Sequence, residues 1–266
     1  MSPVKKFNAV LLVVATAFTV YMLGSLFYVF TAVSYGSILL DQLTDPRVLS
    51  SLWVSVSAAT IVAILAVLFG VPTAWMLTSQ DFKGKTLLET LLVTIPHAFP
   101  PGVIGTTYLL MASPTNPIGG FLATMGISVI NTFWAVIIVK VFVSTPFLMS
   151  MLIQDFRTIQ KSGLETIAKS LGASEAQTFR TITIPLAYRT IIAGSGRAWA
   201  RAMGEVAGTI VLAGAVIPGV TQTMPAIIVF EAQQSIPTAL TLSLILASIS
   251  IVTLVAIKIL SKHGEN

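Results

Sequence analysis

The chain has 266 residues, of which 55% are apolar and only 9% charged, with a mean hydropathy of +0.90 and a formal net charge of +5. Soluble domains carry about a quarter charged residues, so this composition excludes an ordinary water-soluble fold and makes the bilayer the expected solvent. The absence of cysteine excludes disulfides, thiol nucleophiles and cysteine-ligated metals, and the scatter of basic residues at the ends of apolar runs excludes a nucleic-acid-binding stripe.

A chain in hydrocarbon must satisfy its own backbone, as helices or as a closed barrel, and long unbroken apolar runs select helices. The expected fold is all-α: a polytopic membrane protein of about six transmembrane helices in a single domain over residues 1–266. Lys5 and Lys6 precede a first span at 9–33. Ala15-Thr16-Ala17 resembles a signal-peptide cleavage site, but the apolar run continues far beyond it, so the segment reads as uncleaved. Tyr35 to Ser50 reads as a loop, and a second span at 52–78 carries Pro72 near its end, where a kink is expected. Gly84-Lys85-Thr86 suggests a phosphate loop, yet Ser79 stands where a glycine is needed and no strand precedes it, so it reads as a basic turn.

A third span at 87–112 contains Pro96, His97, Pro100, Pro101, Gly102 and Gly105, so regular hydrogen bonding must fail in its middle. Such a break is tolerated only where protein or a water-filled cavity satisfies the freed groups. His97 reads as a histidine packed between helices, with a protonation switch as the alternative. Ser113 to Gly120 reads as a turn and Phe121 to Ile127 as a short interfacial helix. The fourth span, at 129–152, holds Lys140 inside its apolar run, where a charge faces protein or water. A polar island then precedes a fifth span at 191–216 and a sixth at 239–260, and Lys258, Lys262 and His263 close the chain. An even number of spans places both termini on one side. Lys5, Lys6, Lys83, Lys85, Lys258, Lys262 and the island's bases share that side, against Arg47 on the other, so the positive-inside rule makes the termini and the island cytoplasmic in a multi-pass cell-membrane protein.

The island, 155–189, is more than a solvated connection. Leu164, Ile167, Ala168 and Leu171 recur at helical spacing as one apolar stripe. Gly172 is suited to end that helix in the left-handed conformation, and Ser174 to cap a second helix from Glu175 to Ile182, stopped before Pro185. Glu165, Ala168, Leu171, Gly172, Ala173, Ser174, Phe179, Ile182 and Pro185 together resemble the EAA signature of binding-protein-dependent ABC importer permeases. In that signature the glycine is followed after ten residues by isoleucine and after thirteen by proline. Thr166-Ile167-Ala168 stands where Glu-Ala-Ala is common. The resemblance implies a coupling helix docked on a separate ATP-hydrolysing subunit. ATP and magnesium would be bound there, with no catalytic residue, metal site or cofactor in this chain. It also implies two such ATPase subunits, a second copy of the permease and an extracytoplasmic substrate-binding protein as partners.

In the fifth span Arg197, Arg201 and Glu205 lie four apart, hence on one helical face. The arginines can snorkel to the interface, whereas Glu205 is too deep and is expected to form an ion pair with Lys140 or Arg201. Gly194, Gly196, Ala200, Gly204 and Gly208 thread the same span, and Gly204 with Gly208 makes a GxxxG step suited to close helix approach. Phe99 to Gly105, Arg201 to Glu205 and Ile217 to Ile227 resemble the molybdate and tungstate branch of the family, which implies a tetrahedral oxyanion as cargo. The candidate path residues are Pro100, Pro101, Gly105, Lys140, Arg201, Glu205, Thr221, Gln222 and Thr223. The last three either offer neutral donors to the anion or make turn bonds in an external loop. An ion-coupled secondary transporter using Lys140 and Glu205 is the alternative from another class, and it leaves the spacing from Glu165 to Pro185 unexplained.

Overall fold

The computed structural model describes residues 3–31 and 36–262, with side chains over 11–31, 38–259 and 261. Ala32, Val33, Tyr35, His263 and the side chains of Lys5, Lys6 and Lys262 lie outside the described residues. Helix α1 (Pro3–Thr31) is apolar along nearly all its length and exposes nearly every described side chain, its main described contact being with the last helix, Ile236–Lys262. A helix hydrophobic all round with so little protein against it is solvated by lipid.

The expected loop from Tyr35 to Ser50 is, over its described residues, helical except at Asp45. Helix α2 (Gly36–Thr44) is followed at once by α3 (Pro46–Ser79), because Asp45 accepts a hydrogen bond from the Arg47 N–H at 2.7 Å and Pro46 needs none. Helix α3 runs through Pro72 unbroken. After a turn at Gly84 (φ +91°), α4 (Lys85–Glu89), a π turn (Thr90–Thr94) and α5 (Ile95–Ala98) form one arm; α6 (Pro101–Ala112) forms the other. The two arms are bent by 113° at Phe99 and Pro100, where the sequence requires a break.

Asn116 caps α7 (Pro117–Thr124) through the Ile118 N–H, so Gly119 and Gly120, expected in a turn, sit inside a helix that begins four residues earlier than expected. Helix α8 (Phe133–Lys161) also departs from its expected limits. Thr132 caps its start, and the buried stripe of Leu152, Ile153, Phe156 and Ile159 carries it two turns beyond 152, into the polar island. Then come α9 (Leu164–Ser170), α10 (Glu175–Thr178), a π turn (Phe179–Thr183), α11 (Ile184–Met203), α12 (Ala207–Ala213), α13 (Met224–Glu231) and α14 (Ile236–Lys262). The described residues are all-α, without a strand.

The core is the mutual packing of α3, α8 and α11. Ala58, Ala59, Ala135, Ala198 and Ala202 are fully buried there, and their small side chains let three backbones approach closely. Larger residues fill the end nearest the island, where Leu77, Leu148, Leu152 and Phe156 meet Ala187. A second group, Val48, Met224, Ile227 and Leu242, fastens α13 and α14 to the start of α3.

Among the described residues four helices are long and apolar enough to cross a bilayer, Leu11–Thr31, Pro46–Ser79, Phe133–Lys161 and Ile236–Ile259, and the bent pair makes a fifth if counted as one span. The expected fifth span, 191–216, is not a continuous helix: α11 carries Arg189, Arg197 and Arg201 and the chain breaks after Met203.

Candidate functional site

Between α8 and α11 the island folds back on itself as a clipped protrusion. Gly163 (φ +77°) turns the chain into α9, and Gly172 (φ +94°) turns it out. The Ala173 N–H reaches the Ala168 carbonyl at 3.0 Å, closing the end of α9 as a glycine in the left-handed region allows. Ser174 and Gln177 then cap α10 reciprocally, at 3.2 and 2.8 Å.

Beyond α10 the helix does not stop before Pro185, as the sequence suggested. The Ile184 N–H bonds to Phe179 O across a π turn, and because Pro185 has no N–H the wide turn wastes no donor; α11 continues directly. The same solution occurs before Ile95 and Pro96, where the Ile95 N–H bonds to Thr90 O.

The protrusion is tied down on its inner side. Glu165 is buried and accepts a hydrogen bond from the Thr183 hydroxyl, which pins α9 to the base of α11. Phe179 stacks on Trp75 with ring centroids 4.7 Å apart. Glu175 receives Gln80 from the end of α3 at 2.9 Å and Lys169 at 3.4 Å, while Arg157 pairs with Glu89 at 2.6 Å. Ala168, Ala173 and Ile182 are half-buried, and Pro185 is exposed. The outer side is the reverse. Leu164, Ile167 and Leu171 are exposed, Leu171 at 84%, so the apolar stripe faces outward with no described residue covering it. Trp75, Gln80 and Thr183 were not legible as its supports, since each is an ordinary residue until the fold juxtaposes it.

A second constellation lies at the break between α11 and α12. The ion pair expected for Glu205 does not form. Lys140, fully buried in α8, donates to the Ala202 carbonyl at 2.6 Å and to the backbone carbonyl of Glu205 at 3.0 Å, capping the end of α11. The Glu205 carboxylate, 1% exposed, accepts from the Gly208 N–H at 2.8 Å and from the Thr209 hydroxyl, capping the start of α12. The reason is that the helix ends at Met203, which removes Glu205 from the face shared by Arg197 and Arg201. Each charge then serves a helix end that would otherwise be left unsatisfied in apolar surroundings. Arg201 lies over Phe147 at 6.0 Å, and His97 stacks on the same ring at 4.5 Å while its Nδ1 meets Val93 O at 2.6 Å.

The glycine contact also differs from the GxxxG expectation. A Cβ on Gly208 would meet Pro101 O and Val139 Cγ1 at 2.6 Å, and one on Gly105 would meet Gly208 O at 2.6 Å, whereas Gly204 faces only its own helix. Close approach therefore joins Pro101 and Gly105 of α6 to Gly208 of α12, and Pro100 opens the bend beside them. Thr221, Gln222 and Thr223 are buried and not in an exposed loop: Thr221 accepts from the Ile217 N–H at 3.2 Å, Gln222 accepts from Ser51 at 3.5 Å, and the Thr223 hydroxyl has no partner among the described residues.

The family model described as binding-protein-dependent transport system inner membrane component matches residues 46–263. A relative from Pyrococcus furiosus, named molybdate/tungstate transport system permease protein WtpB, is 30% identical over 252 residues, 94% of each chain. The Escherichia coli K12 protein named sulfate transport system permease protein CysW is 32% identical over 92% of this chain and 84% of its own. Among solved structures, a chain of a bacterial alginate ABC transporter, crystallised with an alginate pentasaccharide-bound periplasmic protein, superposes with a TM-score of 0.73 at 16% identity, covering 97% of this chain and 94% of its own. By the extent of the family match and the length shared with these relatives, the chain belongs to the binding-protein-dependent transport system inner membrane components, the permeases of ABC importers.

Proposed function

We propose that this permease imports a tetrahedral oxyanion of the molybdate, tungstate and sulfate class, delivered by an external binding protein and driven by two ATPase subunits docked on two copies of the chain. The observation that carries the coupling half of this reading is the protrusion of α9 and α10. Its outer face is an uncovered apolar stripe, Leu164, Ile167 and Leu171, and its inner face is tied through Glu165 and Thr183 to the base of α11. A partner that pushes on the stripe moves α11, and no flexible linker intervenes. The cargo class is supported by relatives named for molybdate, tungstate and sulfate. Orientation with the protrusion and both termini cytoplasmic follows from the distribution of Lys and Arg.

The test is ATP hydrolysis by proteoliposomes holding this chain and its ATPase subunit, with binding protein empty or loaded with molybdate, tungstate or sulfate. Loaded binding protein is expected to stimulate hydrolysis. Leu171→Asp, which places a charge on the exposed stripe without disturbing packing, is expected to abolish both stimulation and co-purification of the ATPase. Full stimulation in Leu171→Asp would remove the coupling role from the protrusion.

A further inference from the structure

Three of the surface grooves are lined almost wholly by apolar side chains: one along Ala63, Ile64, Val67 and Leu68, one around Phe69 and Phe142, one around Tyr108 and Trp134. These suit contact with lipid chains. A fourth is different in kind. It is an open groove of about 460 Å³ between the second half of α8 and the middle of α11, lined by Ser150, Gln154, Asp155, Thr158, Thr190 and Arg197 with Met151. Ser150, Gln154 and Thr158 are spaced four apart, so they form one hydrophilic stripe down α8, and Thr190 and Arg197, seven apart, form its counterpart on α11.

The groove is equipped and unused. Arg197 is exposed, and its guanidinium, the Gln154 amide and the Thr190 hydroxyl make no hydrogen bond to any described residue. Asp155 Oδ2 is shielded from solvent and likewise unpartnered. Hydrocarbon is a poor match for this surface, since an arginine, a carboxylate and a primary amide would each be left unsatisfied there, and such groups call for water or a polar ligand. Three unengaged donors, on Arg197, Gln154 and Thr190, line one groove together with a single carboxylate. That combination favours a small polyoxygenated anion, which takes a forked guanidinium and neutral donors together, and it weakens the hold enough for release.

We propose that this groove is a low-affinity oxyanion site on the end of the path nearest the protrusion, with Arg197 as its cation, Gln154 and Thr190 as neutral donors, and Asp155 as the charge that promotes release. The nature of the cargo rests on the transport reading above; the place of the site rests on the groove itself. A second copy of the chain pairing its Asp155 with this Arg197 is the competing occupant.

The experiment uses the full chain purified in detergent, and reads its thermal unfolding midpoint in millimolar molybdate or sulfate against chloride at matched ionic strength. Both oxyanions are expected to raise the midpoint in the wild type. Arg197→Gln weakens the apparent affinity by about tenfold or more, the usual effect of losing a charge-assisted hydrogen bond. Asp155→Asn strengthens it, and Lys83→Gln, which removes the same charge from an exposed turn, leaves it unchanged. An absent oxyanion effect in the wild type, or an equal one in Arg197→Gln, overturns the proposal. So does dissociation of an oligomer by Arg197→Gln or Asp155→Asn without any oxyanion effect, which assigns the groove to a second copy. Because binding is read without the ATPase, absent ATP-driven uptake would sink the importer reading while leaving the site to be decided by the midpoints. In proteoliposomes that do transport, Arg197→Gln lowers uptake by about tenfold, and Asp155→Asn slows it while saturating at lower anion concentration.

Discussion

Two breaks lie side by side in this molecule and are built on opposite principles. The break at Phe99 and Pro100 is made of residues that ask for nothing: neither Pro100 nor Pro101 has an N–H to satisfy, Pro101 opens α6, and the Val103 N–H returns to Pro100 O at 3.0 Å. The break at 204–206 contains no proline. It leaves carbonyls and an N–H that Lys140 and Glu205 must satisfy from their side chains. The first break is cheap because backbone donors were removed; the second exists only because two buried charges were placed at it. Gly105 and Gly208, in contact, bring the two within one unit, so that α6 and α12 share a wall next to both bends.

The difference is open to test by substitution. Lys140→Met should have the largest effect. It leaves Glu205 O without a donor and Ala202 O with only the Glu205 N–H at 3.3 Å, and removes one of the two cations near the Glu205 carboxylate, a loss of about 3–5 kcal/mol, read as a collapse of the thermal midpoint or of monodisperse yield in detergent. A midpoint within a degree or two of the wild type would show that water, and not Lys140, holds the end of α11. Gly208→Ala comes next. Its methyl would press on Pro101 O and Val139, for about 1–3 kcal/mol, whereas Gly204→Ala in the same GxxxG step should stay within about 0.5 kcal/mol. Equal effects at the two glycines would restore the sequence-based contact and dissolve the Gly105–Gly208 one.

Glu205→Gln keeps one acceptor for the Gly208 N–H and should cost about 1–2 kcal/mol, clearly less than Lys140→Met. Pro100→Ala should be smallest, under about 1 kcal/mol, because it frees the extended conformation of one residue (φ −63°, ψ 128°) and the N–H it restores lies at an exposed position. Should Pro100→Ala prove as damaging as Lys140→Met, the contrast between a donor-free break and a charge-capped one fails.

Much of the protrusion was readable because its information is local. A serine cap at Ser174, a left-handed turn at Gly172 and an amphipathic stripe each need only residues close in the chain, and all three appear where spacing put them; the reciprocal bond from Gln177 is the structure's addition. Pro185 was misread for the same local reason. Proline forbids an α-helical hydrogen bond at its own position, but the π turn before it moves the bonding pattern and lets the helix continue.

By itself the sequence determined the solvent, the helical class, the break in the third span, the turn at Gly172 and the family. Each depends on composition or on residues close in the chain. Only the tertiary structure decided what Lys140, Glu165, Glu205 and Thr221 do. A polar group buried among helices takes whichever partner the packing brings within about 3 Å, and those partners, Ala202 O, Thr183, Gly208 N–H and Ile217 N–H, are backbone groups or a hydroxyl that no charge pattern announces.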